Sequence, residues 1–193
     1  MLYLIVYVFV VFLVFYFEKE VFKKDLNLFR KFSFKKLILC LSSFLFVNFL
    51  LTFLLMKLGL VEYTRKEFEF SINLLPILVQ TIIVSPFVEE YIFRYVPNKF
   101  VNNSKSFIIL MLISSFLFTI FHNFNFYEMF ITFISALMFF IICYRTKKLT
   151  YSFICHSVYN LLIITFTYIS DFCYLIVSLF SLFVFVLFVK NKW

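Results

Sequence analysis

One glycine, three prolines and ten acidic residues are few punctuating and solubilising groups for a chain of 193. With 64% hydrophobic and 24% aromatic residues beside them, a soluble globular domain is excluded on composition alone. The single glycine, Gly59, removes whole classes of chemistry, because neither a GxGD aspartyl site nor a GxSG serine site can be written with it. It also excludes a GxxxG helix-packing face, although oligomeric state stays open. There is no HExxH zinc signature and no CxxC pair, and the only aspartates, Asp25 and Asp171, stand outside the apolar runs. The scattered Cys40, Cys143, Cys155 and Cys173 read as small apolar residues, neither ligands nor disulfide partners.

Apolar runs are what the chain has in abundance. They fall near residues 2–17, 37–60, 72–96, 106–121, 127–143, 151–169 and 172–189, each close to the ~20 residues a helix needs to cross a bilayer. The expectation is an all-α, polytopic membrane helix bundle of about seven transmembrane helices, the first and fourth short. No repeat and no Pro/Gly/Ser linker divides it, so residues 1–193 read as a single membrane domain. The first run has no basic residue before it and no small-residue cleavage pattern after it, which favours a retained helix over a signal peptide. The many Phe residues are what lipid-facing surface requires and carry no functional weight here.

A formal charge of +8 invites a nucleic-acid reading, but the basic residues lie between the apolar runs and follow the positive-inside rule. With the N-terminus outside and the C-terminus cytoplasmic, the inner segments hold Lys19 to Lys36, then Arg94, Lys99 and Lys105, then Arg145, Lys147 and Lys148, then Lys190 and Lys192. Only Lys57, Arg65 and Lys66 are left outside. The partner implied is the lipid bilayer, in the cell (plasma) membrane, with no nucleic acid. The basic stretch 18–36 orients the first two helices.

Against this background the segment VEEYIFRYVP, residues 88–97, stands out. One ionised residue at a helix centre costs about 2.5–3.5 kcal/mol on insertion scales, so Glu89, Glu90 and Arg94 together need compensation. Glu90 and Arg94 are four apart with the acid on the N-terminal side, the favourable order for an ion pair. Glu89, about 100° further round the helix, faces elsewhere. Pro86 removes a backbone hydrogen bond and frees carbonyls that only protein groups or water can satisfy at this depth, which points to a wet cavity beside Glu89.

The only two histidines, His122 and His156, both lie in apolar helices. His156 and Asn160 share a helix face, and Phe118 is placed to pack beside His122. Together these groups form a carboxylate and imidazole set able to activate water for peptide hydrolysis, in either of two ways. Desolvated Glu89 takes a proton from water that His122 also holds, while His156 and Asn160 donate to the oxyanion. Alternatively Glu89, His122 and His156 bind a divalent metal such as Zn2+, which acidifies the bound water. The residues alone leave both open.

The motifs EEYIFR (Glu89 to Arg94), FTIFH (Phe118 to His122) and HSVYN (His156 to Asn160) occur in the order EExxxR, FxxxH, HxxxN. This resembles the CPBP family of CAAX proteases and bacteriocin-processing (Abi) enzymes, including the type II CAAX prenyl endopeptidases. The resemblance covers about residues 72–169, the family's four-helix core. It implies an intramembrane endopeptidase, of a kind often called metalloproteases, acting on a hydrophobic or lipidated peptide, prenylated CAAX-type or small and secreted. It further implies that Glu89 is the base, that His122 positions water, that His156 and Asn160 stabilise the oxyanion, and that Glu90 and Arg94 are supporting structure.

Two readings from other classes stand beside it: a non-catalytic bacteriocin-immunity or scaffold protein of the same fold, and a small transporter using Glu89 and the histidines as a proton relay. Straight-helix geometry also poses a problem. It puts His122 ~24 Å along a helix starting at residue 106 and separates it from Glu89 by roughly 15 Å in depth. For the site to form, that helix must be tilted or sunk, its polar end HNFNFYE lining a watery turn.

Overall fold

The computed structural model describes residues 32–61, 74–122, 125–166, 168 and 170–190. These residues form an all-helical bundle of six helices: α1 (Phe34–Lys57), α2 (residues 74–99), α3 (Ser104–Ile120), α4 (Phe126–Thr146), α5 (Leu149–Phe166) and α6 (Phe172–Lys190). Five of them are long and apolar enough to cross a membrane, and α3, with 17 residues, is a shorter apolar helix. All six coincide with apolar runs of the sequence. The expected further helix at 2–17, and with it the count of about seven, falls on residues outside those described, as do Asp25 and most of the basic stretch 18–36.

Helix ends follow local chemistry. Ser33 caps α1 by accepting from the Lys36 N–H, Asn103 and Ser106 form a reciprocal capping box on α3, and Asn125 accepts from the Glu128 N–H to start α4. Gly59, at φ +69°, ends α1: its N–H reaches the Met56 carbonyl and that of Leu60 the Leu55 carbonyl. That closure needs a left-handed residue, and it is where the only glycine is used.

The core is aromatic. Phe44 stacks on Phe139 at 4.4 Å, Phe49 on Tyr159 at 5.3 Å, and Phe166 meets Tyr174 edge-on at 5.0 Å. These contacts tie α1, α4, α5 and α6 together. Glycine is absent from the described helices, and the small residues buried in them are mostly serines: Ser42, Ser114, Ser115, Ser135, Ser152, Ser178 and Ser181. Outward faces carry Ile109, Ile113 and Phe116 on α3 and Phe180 and Phe183 on α6, all more than half exposed, as lipid contact requires. Cys143 and Cys155 are buried, Cys40 and Cys173 partly so, and all four are free thiols.

Beyond the bundle's interior, Lys57 bridges Asp171 at 2.8 Å, joining the end of α1 to the start of α6. Its hydrogen bond holds the exposed Asp171 carboxyl below the usual carboxylate range.

Candidate active site

α2 is a continuous helix with two wide, π-helical turns, Gln80–Val84 and Tyr91–Tyr95, each followed two residues later by a proline. In the wide register the Ser85 N–H reaches the Gln80 carbonyl, five residues back. The next N–H in that register belongs to residue 86, a proline with none to give. The Thr81 carbonyl is thereby freed, and the Asn160 side-chain amide on α5 donates to it at 2.9 Å. Near Pro97 the solution is similar: the Ser114 hydroxyl on α3 donates to the carbonyl of Phe93, four residues before that proline. The carbonyl that Pro86 is expected to free is thus present, in a widened turn of an uninterrupted helix stitched to its neighbours by side chains.

Within this irregular stretch Glu89 and Glu90 point to different partners. Glu89 Oε2 lies 3.8 Å from His122 Nε2 and 3.7 Å from His156 Nε2. Glu90 Oε1 lies 3.0 Å from His156 Nδ1 and 3.7 Å from Arg94 Nε. Side-chain exposure separates their duties: Glu90 and Arg94 are fully buried, whereas Glu89 is 14% exposed and His122 27%. The pairing of Glu90 with Arg94, and the turning away of Glu89, match the sequence expectation. So does Phe118, whose ring packs 4.3 Å from that of His122. It also lies 4.0 Å from the Arg94 guanidinium carbon, a cation–π contact that helps to shield this buried charge.

The depth mismatch is resolved. α3 ends at Ile120, about 25 Å from its start, and His122 follows directly after it beside Glu89. The roughly 15 Å separation expected from straight helices gives way to a 3.8 Å approach of His122 to Glu89.

Both imidazoles are fixed through Nδ1. His122 Nδ1 lies 2.8 Å from the Phe118 carbonyl, an acceptor only, so this nitrogen carries the hydrogen; His156 Nδ1 faces the Glu90 carboxylate in the same way. Each Nε2 is left facing Glu89. His156 is also held flat by Phe139, stacked at 4.7 Å.

That donor set has the chemistry of a divalent metal site, including the outer partners that orient ligating histidines. Its spacing does not fit as it stands. Separations of 3.7 and 3.8 Å exceed the edge of about 3.3 Å of a tetrahedron with ~2.05 Å bonds, and among the described residues no group of three His, Cys, Asp or Glu is placed to hold a metal.

Glu89, His122, His156 and Asn160 all line one cavity of about 530 Å³. Its walls include Glu128, the end of the polar HNFNFYE stretch, and residues that sequence reasoning did not single out: Thr52, Gln80, Ser135 and Tyr159. Ser135 donates to Asn48 Oδ1 at 2.6 Å and Thr52 to the Asn48 carbonyl at 2.8 Å, giving one wall a polar face.

Three motif-bearing helices thus bring a carboxylate and two imidazoles together on the wall of one cavity. Residues 71–162 match the family model described as type II CAAX prenyl endopeptidase Rce1-like. The match spans just under half of the chain, which over that segment is similar to this family of proteases, and the long apolar helices mark an integral membrane protein. No curated protein and no solved structure matches it.

Proposed function

We propose that the protein is an intramembrane endopeptidase that hydrolyses a peptide bond of a membrane-associated peptide, prenylated CAAX-type or small and secreted, with water activated by Glu89. The observation that carries this reading is the convergence of Glu89 Oε2 with two imidazole Nε2 atoms, 3.8 and 3.7 Å away, on a cavity wall. A water in that gap donates one hydrogen to Glu89 and the other to His122 Nε2, leaving a lone pair for the scissile carbonyl. Glu89 takes the proton as the attack proceeds and returns it to the leaving amine.

The oxyanion receives the second N–H of Asn160, whose first is spent on Thr81. It also receives an N–H from His156 Nε2 in the imidazolium form, whose charge Glu90 balances from the other side of the ring. Glu90 thus has a second duty besides neutralising Arg94: it orients His156 as the third member of a triad would. A divalent metal such as Zn2+, if used, would be held by Glu89, His122 and His156 and would supply a more acidic water, but their present spacing is too wide for it.

Glu89→Gln, nearly isosteric, is expected to lower cleavage by at least ~10²-fold at unchanged abundance and thermal stability. The check is a mass-spectrometric comparison of membrane and secreted peptides from cells expressing either form. Fragments unique to the wild type support the enzyme and name its substrate. Identical peptidomes with a surviving cellular phenotype would favour a binding or immunity role. Loss of cleavage on chelation, restored by one added metal, would select the metal-bound variant of the mechanism.

A further inference from the structure

The helix ends of this bundle are chemically unequal, and the cavity belongs to one set of them. Lys35 and Lys36 lie at the start of α1, Lys99 at the end of α2, Lys105 at the start of α3, Arg145 and Lys147 at the end of α4, Lys148 before α5 and Lys190 at the end of α6. All of these ends are on one side of the bundle, because successive helices alternate in direction. At the opposite ends the described residues offer one basic side chain, Lys57, and it is paired with Asp171.

Glu89 and His156 mark the inner limit of the cavity. The rest of its lining runs away from the basic side: Met56 at the end of α1 and Val61 just beyond it, Gln80 early in α2, Glu128 at the start of α4, Ile164 late in α5 and Tyr174 at the start of α6. Towards the basic side the way is blocked by the fully buried Glu90 and Arg94, packed under Phe118 and Phe139. The positive-inside rule puts the basic ends in the cytoplasm. We infer that the cavity faces the non-cytoplasmic side, and that the substrate is an exported peptide whose apolar segment enters from the outer leaflet side, not a lipidated tail presented from the cytoplasm.

The lining suits such a ligand. Ile131, Phe139 and Ile163 offer an apolar wall, while Thr52, Ser135 and Gln80 offer hydrogen bonds to an extended backbone that has left water. This substrate class rests on the protease reading above, whereas the sidedness does not, so the test reads sidedness alone.

Gln80→Cys and Lys105→Cys are introduced separately into the full chain, and each is exposed to a membrane-impermeant maleimide in spheroplasts and in inverted membrane vesicles, with the wild type giving the background of the four native thiols. The expected result is labelling of Gln80→Cys above background only in spheroplasts and of Lys105→Cys only in inverted vesicles. Labelling of Gln80→Cys only in inverted vesicles, or from neither side while Lys105→Cys reacts, overturns the inference. Failure of Glu89→Gln to change any peptide leaves the labelling result standing and removes only the protease reading.

Discussion

α2 and α6 are both long enough to span a membrane, yet their most apolar windows differ twofold in mean hydropathy, 1.4 against 2.8. α6 is regular from Phe172 to Lys190. It buries Tyr174, Ser178 and Ser181 and turns Leu179, Phe180 and Phe183 outwards. α2 holds Glu89, Glu90 and Arg94, three prolines and two widened turns. In one helix the polar atoms lie at packing contacts with small side chains. In the other they are charged, and each irregularity is met by a group from a neighbouring helix. What separates a functional span from an anchoring one here is the presence of partners on α3 and α5 that make its polarity tolerable.

That comparison can be broken at graded points. The largest stability effect should come from Glu90→Leu, which strands Arg94 in the interior and releases His156. A loss of about 3–5 kcal/mol is expected for one half of a buried pair, visible as a large drop in thermal midpoint in nanodiscs. Adding Arg94→Met should recover most of the stability without recovering cleavage, because His156 stays unoriented. Recovery of both would show that Glu90 serves Arg94 alone.

A smaller effect tests the stitching of the first wide turn. Asn160→Ala should cost about 1–3 kcal/mol by orphaning the Thr81 carbonyl. Pro86→Ala in that background restores an N–H for it, so stability should return while activity stays low. If Pro86→Ala returns nothing, Asn160 does not act through Thr81. Ser114→Ala, orphaning the Phe93 carbonyl, should cost about 1 kcal/mol by the same measurement. The least effect is expected on the regular helix: Phe180→Leu, on the lipid face of α6, should stay within ~0.5 kcal/mol, and a larger loss would place a partner against that face.

Much of this was legible in the sequence because the chemistry is scarce there. With two histidines in the chain and charge rare inside apolar runs, Glu89, Glu90, Arg94, His122 and His156 could hardly be overlooked, and an i, i+4 spacing sufficed to pair Glu90 with Arg94. Depth was not legible. A rise of 1.5 Å per residue assumes regular helices spanning the full bilayer, and neither α2 nor α3 behaves so. The cavity walls were also hidden. Thr52, Ser135 and Tyr159 belong to residue types that elsewhere in this bundle merely pack helices, whereas Glu128 shows there only as the end of the polar HNFNFYE stretch. Asn160 was found, but its bond to Thr81 depends on a widened turn that no residue pattern announces.

The shortness of α3 has a bearing on the lipid as well as on the protein. A 17-residue apolar helix is ~5 Å shorter than an average hydrocarbon core, and such mismatch is relieved by local thinning of the bilayer. The acyl chains bordering α3 would then be compressed beside His122, drawing headgroups and water inwards. In this way the membrane itself would become a sloping approach to the site, and its thickness and composition would govern how readily a peptide could reach Glu89.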